Sequence, residues 1–409
     1  MNKKEQSIMS KQQLNFFSAM RSTFQEQEEL TIRSMQEYGP RYKHWVFAFS
    51  GGKDSTTVLT YVIYLIESGQ IEAPESITVC YADAGMEITP LYFAAMTILD
   101  LSKSRGINVR IVKPEMDYRY FVYILGRGVP PPSNSFRWCT QHLKIEAMMR
   151  NLRSIYHERG EKFLLLTGIR QGESAVRDGR IAMSCSKDGG ECGQGWYQTT
   201  APDDICDKLA PILHWRVCSV WDWLKVYAPM PKYGGWPTTI LAEVYGGDEA
   251  EDLNARTGCV ECPLVQEDKS LGIVIKMDNW AYLTPLRRLR SIYQELKLPK
   301  NRLRKTGHQF KKNGDPVKNH NRMGPLIMYA RNRALTEILN IQNEINAVAI
   351  AENKPTISLI SAEEEFRIRE LIELNTWPNG WDGTEQRADE PFLQIYQDGS
   401  VQQDLFLNN

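Results

Sequence analysis

The residues best suited to bind phosphate lie together near the amino terminus, directly after a short apolar run from Trp45 to Phe49. They are Ser50, Gly51, Gly52, Lys53, Asp54, Ser55 and Thr56. Glycines let the backbone approach a ligand closely, and the first N–H groups of a following helix attract an anion. Lys53 adds a full positive charge, and Asp54 suits a magnesium ion that bridges phosphates. The structural alternative is an ordinary glycine turn capped by serine and aspartate.

The spacing of the cysteines indicates a second kind of chemistry. Cys259 and Cys262 form a Cys-x2-Cys pair, with which one loop can hold a metal ion or a cluster. One pair cannot supply four ligands, and the loop from Cys185 to Cys192 could add one or two more. Because the chain begins without an apolar signal core, we expect reduced thiols instead of disulfides. Buried free thiols are the expectation for Cys80, Cys206 and Cys218.

The elements around the glycine-rich segment predict an α/β fold. Apolar strands are predicted at 45–49, 76–81, 107–112 and 163–167, and helices at 10–38, 58–67, 91–104 and 145–156. This alternation is typical of a doubly wound parallel sheet, which binds ligands beyond the carboxyl ends of its strands. Ser50, Asp83 and Gly168 follow predicted strands, and we therefore expect them to converge on one crevice.

Composition limits the class of protein. The chain has 409 residues, a net charge of −1 and 42% hydrophobic residues. This composition excludes a disordered, collagenous or coiled-coil chain. No apolar run is long enough to cross a bilayer, so we expect a soluble, cytoplasmic protein without a membrane partner.

One stretch of the chain is strongly basic. The stretch from Lys297 to Arg322 contains nine Lys and Arg residues and one acidic residue, Asp315. Such a stretch predicts contact with nucleic-acid phosphates, and a solvated surface loop is the alternative. Helices are predicted on both sides of it, at 280–298 and 325–351, with a further helix at 363–374 and a loop-like tail after Trp377.

Four segments together carry a family resemblance. The residues from Ser50 to Thr56 differ from the Gly-x4-Gly-Lys-Ser/Thr loop of kinases and resemble the PP-loop of the N-type ATP pyrophosphatases. Three more segments resemble the phosphoadenosine phosphosulfate (PAPS) reductase branch of that superfamily. They are the adenosine-holding segment 81–87, the cysteine-plus-lysine segment 136–144 and the arginine-bearing loop 168–177.

The resemblance implies an adenine nucleotide α-hydrolase-like fold and a set of site residues. It assigns ATP binding to residues 50–56 together with Asp83, Gly168 and Arg170. It assigns catalysis to Lys53, Asp54, Arg170 and Cys139. Arg177 remains open between nucleotide contact and a surface ion pair.

Further segments resemble a more specific family. Sulfonucleotide reductases use a cysteine near their carboxyl terminus as nucleophile, and none follows Cys262 here, so we do not expect sulfate reduction. Segments 211–215, 220–224, 258–263 and 324–331 instead resemble the DndC/SspD family of DNA phosphorothioation proteins, to about residue 375. Unlike members of that family, the chain has no cysteine between Tyr245 and Arg256.

This second resemblance implies sulfur transfer to DNA. An ATP pyrophosphatase would adenylate a DNA backbone phosphate, using ATP and Mg²⁺, and sulfur would then be incorporated. The implied partners are DNA, a cysteine desulfurase as sulfur donor and other DNA-modification subunits. The implied cofactor is a [4Fe-4S] cluster, with a zinc ion as the alternative. Its ligands would be four or three of Cys139, Cys185, Cys192, Cys259 and Cys262.

The predicted organisation follows these segments. We expect an N-terminal helix (1–40), a PP-loop domain (41–178), a cysteine-rich segment completing the active site (179–265), a helical and partly basic region (266–376) and a tail (377–409). Two other functions stay open. One is a sulfonucleotide reductase or tRNA sulfurtransferase, and the other is a non-catalytic regulator with the same fold.

Overall fold

The structure is a computed structural model that describes residues 23–172, 196–198, 204–245, 258–311, 313–396 and 398–403. Cys185, Cys192 and Arg177 lie outside these ranges. The chain forms two compact units. The first comprises Met1–Cys80, Thr97–Arg110 and Ile155–Leu241, and the second comprises Tyr81–Met96, Ile111–Ser154 and Ala242–Asn409. Of the helices in the described ranges, none has the length and apolar character that a membrane span needs.

A six-stranded sheet is the main element of the first unit. Its strands are β1 (His44–Phe49), β2 (Ser76–Ala82), β3 (Asn108–Val112), β4 (Phe163–Leu166), β5 (Trp196–Gln198) and β6 (Cys206–Ala210). The order is β3-β2-β1-β4-β6-β5, in which five strands are parallel and β5 is antiparallel to β6. The predicted doubly wound parallel sheet is confirmed.

Strand β6 was not expected from the sequence. Its five residues include Asp207 and Lys208, which interrupt the apolar pattern that marks the other parallel strands. The Asp207 side chain is buried, where it accepts a hydrogen bond from the Tyr42 hydroxyl at 2.5 Å and pairs with Lys162 at 3.6 Å. The folded chain therefore supplies the hydrogen-bonding and ionic partners that the buried Asp207 carboxylate needs.

The predicted helices of this α/β region are confirmed, with shifted ends. They are α1 (Phe24–Tyr38), α2 (Lys53–Glu67), α3 (Thr89–Ser104) and α4 (Glu146–Arg159). Two further helices, α5 (Val217–Asp222) and α6 (Thr239–Tyr245), were not predicted. Helix α2 begins five residues before the predicted start, because Gly52 is its N-cap. The first part of the predicted N-terminal helix, up to residue 22, lies outside the described residues.

Aromatic side chains pack against helix α2. The Tyr61 ring lies 4.9 Å from the Trp215 ring and 4.8 Å from the Trp223 ring, both edge-on. Trp223 Nε1 also donates to Thr60 Oγ1 at 2.8 Å. Edge-on aromatic contacts add to area burial, so the tryptophans of segments 211–215 and 220–224 stabilise the helix that follows the PP-loop.

The second unit contains the predicted helical C-terminal region. Its elements are α7 (Lys269–Val274), α8 (Arg288–Lys297), β7 (Arg302–Arg304), β8 (Met323–Leu326), α9 (Met328–Ala351), α10 (Ala362–Glu373), β9 (Gln386–Arg387), β10 (Leu393–Ile395) and β11 (Val401–Gln403). Strands β8, β7 and β9 form one small sheet, and β10 pairs with β11. The tail was expected to be loop-like, but strands of two or three residues leave no periodic signal in a sequence.

Within the segment 324–331, Arg331 has a structural role. Its fully buried guanidinium donates to the carbonyl oxygens of Leu326 (3.0 Å), Gly126 (3.2 Å) and Thr376 (2.8 Å). Burial lowers the pKa of Arg331 to about 9. Gly128 has a φ of +75°, and a Cβ there would lie 2.1 Å from the guanidinium. The arginine therefore ties three chain segments together through their backbone.

Candidate functional site

The segment from Ser50 to Thr56 has the geometry of a helix start that can bind an anion. Gly51 has a φ of +72°, a region that favours glycine, and Gly52 caps the helix that begins at Lys53. Ser55 Oγ donates to the Gly52 carbonyl at 3.0 Å and lies 3.0 Å from Ser50 Oγ. These contacts hold the loop so that the first N–H groups of α2 are available at its amino terminus.

Three predicted catalytic residues meet beside this loop. Asp54 Oδ2 accepts from Lys53 Nζ at 2.9 Å, and Asp54 Oδ1 accepts from Arg170 Nε at 2.5 Å. Arg170 is 5% exposed and also donates to the Trp215 carbonyl at 3.2 Å. The structure therefore brings Lys53, Asp54 and Arg170 into one charged cluster within the first unit.

The cations control the charge of Asp54. Burial alone would raise the pKa of Asp54, but the charges and hydrogen bonds of Arg170 and Lys53 hold it below its ordinary value. The carboxylate is therefore ionised at neutral pH. Each of its oxygens accepts from one cation and keeps a second lone pair, which could bind a magnesium ion.

Gly168 is required by close packing against the PP-loop helix. A Cβ at residue 168 would lie 2.7 Å from Ser55 N and 2.8 Å from the Asp54 carbonyl carbon. Side chains of any other type would push these backbones apart. Gly168 therefore lies directly against the start of α2, as its strand-end position led us to expect.

Asp83 belongs to the second unit, where it lines a cavity of about 290 Å³. Asp83 Oδ1 accepts from the Gly85 N–H at 2.9 Å, and Asp83 Oδ2 lies 3.4 Å from Lys113 Nζ. Tyr92 and Phe93 form part of the cavity wall. Aromatic walls with a few placed polar groups are typical of small-molecule sites, and the volume is of the size that such sites have.

The segment after Asp83 is joined to the cysteine pair. Val260 N donates to the Met86 carbonyl at 2.7 Å, and Glu87 and Cys259 form an antiparallel bridge. Burial raises the pKa of Glu87, Lys144 at 3.9 Å lowers it, and Asp83 raises it further. Two segments that are far apart in sequence therefore form one structure in the second unit.

The Cys-x2-Cys turn is held by charged neighbours. Glu261 has a φ of +46°, unusual for a residue other than glycine, and its N–H donates to Asp268 Oδ2 at 2.8 Å. Its carboxylate accepts from Arg290 Nε at 2.6 Å, and Arg290 Nη1 donates to the Val265 carbonyl. Several contacts therefore hold the turn in this conformation, as expected where a strained backbone persists.

Three of the five predicted ligand cysteines are described, and they lie close enough for their charges to interact. Burial raises the pKa of Cys259 to about 12, with Glu87, Cys262 and Cys139 acting in the same direction and Lys144 opposing. Burial and then the charge of Cys262 raise the pKa of Cys139. Thiols that oppose one another's ionisation are a donor set that a soft cation would stabilise.

The arrangement of these thiols is not that of an assembled metal site. Across the described ranges, no three His, Cys, Asp or Glu side chains are positioned to hold a metal ion. Cys185 and Cys192 lie outside those ranges. The donor chemistry therefore fits a metal or cluster, and the ligand set stays a prediction. Of the three other cysteines, Cys80 and Cys206 are buried as expected, and Cys218 is half-buried.

Only part of the basic stretch is exposed. Arg302 and Arg304 are each 7% exposed. Arg302 Nε donates to the Gly324 carbonyl at 2.6 Å, and Arg304 donates to the carbonyls of Asn321 and Ala388. These two cations stabilise the small sheet and cannot contact DNA phosphates. Lys300, Lys311, Lys318 and Arg322 are exposed.

Sequence reasoning missed some partners of the site residues. Lys113 follows β3 directly, and a cation after a parallel strand was a signal that could have indicated contact with Asp83. The Trp215 carbonyl that binds Arg170 had no such signal, because any residue type carries a carbonyl.

The α/β part of the chain matches the sequence model of a known protein family. Residues 44–228 match the sequence model of the phosphoadenosine phosphosulfate reductase domain. The match supports the PAPS-reductase-like family for this part of the chain, a little under half of its length.

The solved structure of phosphoadenylyl-sulfate (PAPS) reductase from Candida auris, in its phosphate complex, is similar at 13% identity and a TM-score of 0.34. This match covers 56% of the present chain and 87% of that chain. No curated protein sequence matches the chain.

Proposed function

We propose that the protein is an ATP pyrophosphatase that activates a DNA backbone phosphate for sulfur incorporation. The observation that carries the ATP part is the buried cluster of Lys53, Asp54 and Arg170 at the start of α2, with Gly168 packed against it. Helix N–H groups and two cations in one place can stabilise charge that develops on transferred phosphates. The PAPS-reductase-like match of residues 44–228 supports an enzyme acting on this class of nucleotide.

The proposed reaction has two steps. A non-bridging oxygen of the DNA phosphate attacks the α-phosphorus of ATP, so that a P–O bond forms and pyrophosphate leaves. Hydrosulfide-level sulfur then attacks the activated DNA phosphorus, the P–S bond forms and AMP leaves with the original oxygen. A persulfide on a cysteine desulfurase would supply this sulfur, and a thiol reductant would provide the two electrons that release it. Lys53 and Arg170 would hold the phosphates during the first step.

The residues of the second unit would complete the chemistry. Asp83 and the aromatic wall of its cavity would bind the adenosine. Cys139, Cys259 and Cys262 would hold an iron–sulfur cluster, with Cys185 or Cys192 as a further ligand and zinc as the alternative metal. Such a cluster would supply an iron that can bind incoming sulfur. In this proposal Lys144 and Glu87 set the charge around Cys259.

Product analysis tests the proposal. The anaerobically purified chain, incubated with ATP, Mg²⁺, DNA and a desulfurase, should release AMP and pyrophosphate, and Lys53→Met should abolish this release. Nuclease-digested DNA should then contain phosphorothioate-linked dinucleotides. ADP and phosphate as products would contradict the assignment of the PP-loop. AMP release without DNA sulfur, but with sulfur on tRNA or with reduction of a sulfonucleotide, would favour the other enzymatic functions. Absence of any turnover would favour the regulator.

A further inference from the structure

A hairpin projects from the basic stretch of the second unit. Val317 N donates to the Gln309 carbonyl at 3.0 Å, and Lys311 N donates to the Asp315 carbonyl at 2.7 Å. Phe310 and Pro316 form an antiparallel bridge between these bonds. We refer to residues 309–311 and 313–317 as the basic hairpin.

The base of the basic hairpin is anchored in the fold. Gln309 is 9% exposed, and its backbone N–H donates to His320 Nδ1 at 2.8 Å. The Gln309 side chain donates to the carbonyls of His320 (2.8 Å) and Lys305 (3.2 Å). His320 is itself buried. These bonds hold the strand entering the hairpin in place, so the residue after Gln309 is presented in a defined position.

That residue is Phe310, whose ring is held out in solvent. Phe310 is 64% exposed, and the opposing Pro316 is also exposed. Directly opposed residues of an antiparallel pair lie on the same face, so the two side chains form one small apolar surface. Single exposed apolar residues are common, but this one is followed directly in the chain by the exposed Lys311.

The surrounding charges complement phosphate. Lys311, Lys318 and Arg322 are exposed. Lys311 pairs with Asp315 at 3.8 Å, whereas neither Lys318 nor Arg322 forms an ion pair within the described chain. Lys318 and Arg322 follow Pro316 by two and six residues in the chain. Cations without a carboxylate partner that follow an exposed apolar pair so closely suit a polyanion that also offers flat apolar surfaces, and a DNA duplex is such a polymer.

We propose that the basic hairpin is a DNA wedge: Phe310, supported by Pro316, inserts between neighbouring base pairs while Lys318 and Arg322 contact the flanking phosphates. Apolar wedges of phenylalanine or proline partly unstack a base step and bend the duplex. The proposal rests on DNA being the substrate proposed above, and it adds how the duplex is deformed.

The chain offers a matched control. Phe366 is 72% exposed on α10, whose first turn carries Glu363, Glu364 and Glu365. The two phenylalanines share size and exposure, but the acidic turn beside Phe366 repels phosphate. If Phe310 is a wedge, only its replacement should affect DNA binding. If apolar adhesion is nonspecific, replacement of Phe310 and replacement of Phe366 should affect DNA binding equally.

The experiment uses the full chain and a duplex that carries 2-aminopurine, whose fluorescence rises on unstacking. The wild-type protein and Phe366→Ala should raise this fluorescence, and Phe310→Ala should not. Phe310→Ala should weaken DNA binding by roughly 5- to 150-fold, the range measured when a base-stacking aromatic is replaced by alanine. Lys318→Ala with Arg322→Ala should reduce the slope of log K against log salt by about 0.9 per lost phosphate contact.

Each outcome separates the wedge from the proposed function. If Phe310→Ala raises the fluorescence and binds DNA as the wild type does, and phosphorothioate still forms, the wedge is wrong and the proposed function stands. A fluorescence change that depends on Phe310, with no phosphorothioate in the DNA, supports the wedge and counts against the function. A wild-type chain that does not bind DNA overturns both. A Phe310 effect confined to binding of the desulfurase or of RNA replaces the wedge with a different contact.

Discussion

At the residue scale, Lys53, Asp54 and Arg170 form a cluster of charges at the start of α2. Asp54 is held in its ionised form by Arg170 and Lys53 despite its burial. Because both cations are paired with one carboxylate, the cluster carries one net positive charge.

Replacing Arg170 by methionine should reduce both stability and activity. Removing one member of a buried ion pair leaves the other uncompensated, which costs about 3 kcal/mol of unfolding free energy. ATP turnover should fall about 100-fold, a typical loss when a group that stabilises developing charge is removed. Urea unfolding and AMP release measure the two effects. Arg170→Lys should recover part of both, and full turnover in Arg170→Met would exclude a role on phosphate.

The carboxyl group of Glu87 gives a pH-dependent prediction. Its pKa is raised mainly by burial, so the contribution of the protonated group to stability is complete below about pH 4.3, the ordinary pKa of glutamate. This contribution is lost as the pH rises through the higher pKa of the folded state. Glu87→Gln stays neutral, so its urea midpoint should fall less than that of the wild type between pH 5 and pH 8. Parallel midpoints over this range would refute the raised pKa.

At the element scale, the contact between the loop after β4 and the first turn of α2 positions the phosphate-binding groups. Gly168 follows β4 and lies against the backbone of Asp54 and Ser55, so the strand end and the helix start share one surface. Arg170 reaches Asp54 from this same loop. The packing of two elements therefore sets a distance that the residue types alone leave open.

Gly168→Ala should disturb this contact. The added Cβ would lie 2.7 Å from Ser55 N, which forces a backbone shift and costs roughly 1–3 kcal/mol. The affinity for ATP should fall because Lys53 and the helix N–H groups move with the backbone. Isothermal titration and urea unfolding measure these changes. Gly258→Ala is the stability control, since no atom lies within 4 Å of its added Cβ and stability should be unchanged.

At the scale of the whole molecule, the two chemistries of the proposed reaction reside in different units. The PP-loop cluster of Lys53, Asp54 and Arg170 belongs to the first unit, and Cys139, Cys259 and Cys262 belong to the second. Segment 81–87 joins the cysteine turn through Met86 and Val260. Substitutions in the cluster of Lys53, Asp54 and Arg170 and substitutions of these cysteines should therefore affect different steps.

Cys259→Ser should separate the two steps. Phosphorothioate in DNA should be lost, because the serine hydroxyl replaces a thiol of the proposed sulfur-handling site, while AMP and pyrophosphate release should persist. Mass spectrometry of digested DNA and product analysis give the two readouts. Cys218→Ser, on α5 of the first unit, should keep both. Equal loss of ATP turnover and phosphorothioate in Cys259→Ser would contradict the separation.

The sequence alone determined the parallel sheet and the helix start that follows Gly51 and Gly52. Apolar strands such as Trp45–Phe49 are continuous because parallel strands are buried on both faces, and glycines before Lys53 mark a helix start that can approach a ligand. Both signals are local, so a single sequence contains them. The long helix Met328–Ala351 is visible for the same reason.

Only the tertiary structure decided which charges are free. Arg302 and Arg304 are buried against backbone carbonyls, whereas Lys318 and Arg322 are exposed, although all four belong to one basic stretch. The pairing of Asp54 with Arg170, 116 positions apart, likewise depends on how β4 packs against α2. Burial and ion pairing are sums over residues distant in sequence, and local composition does not contain them.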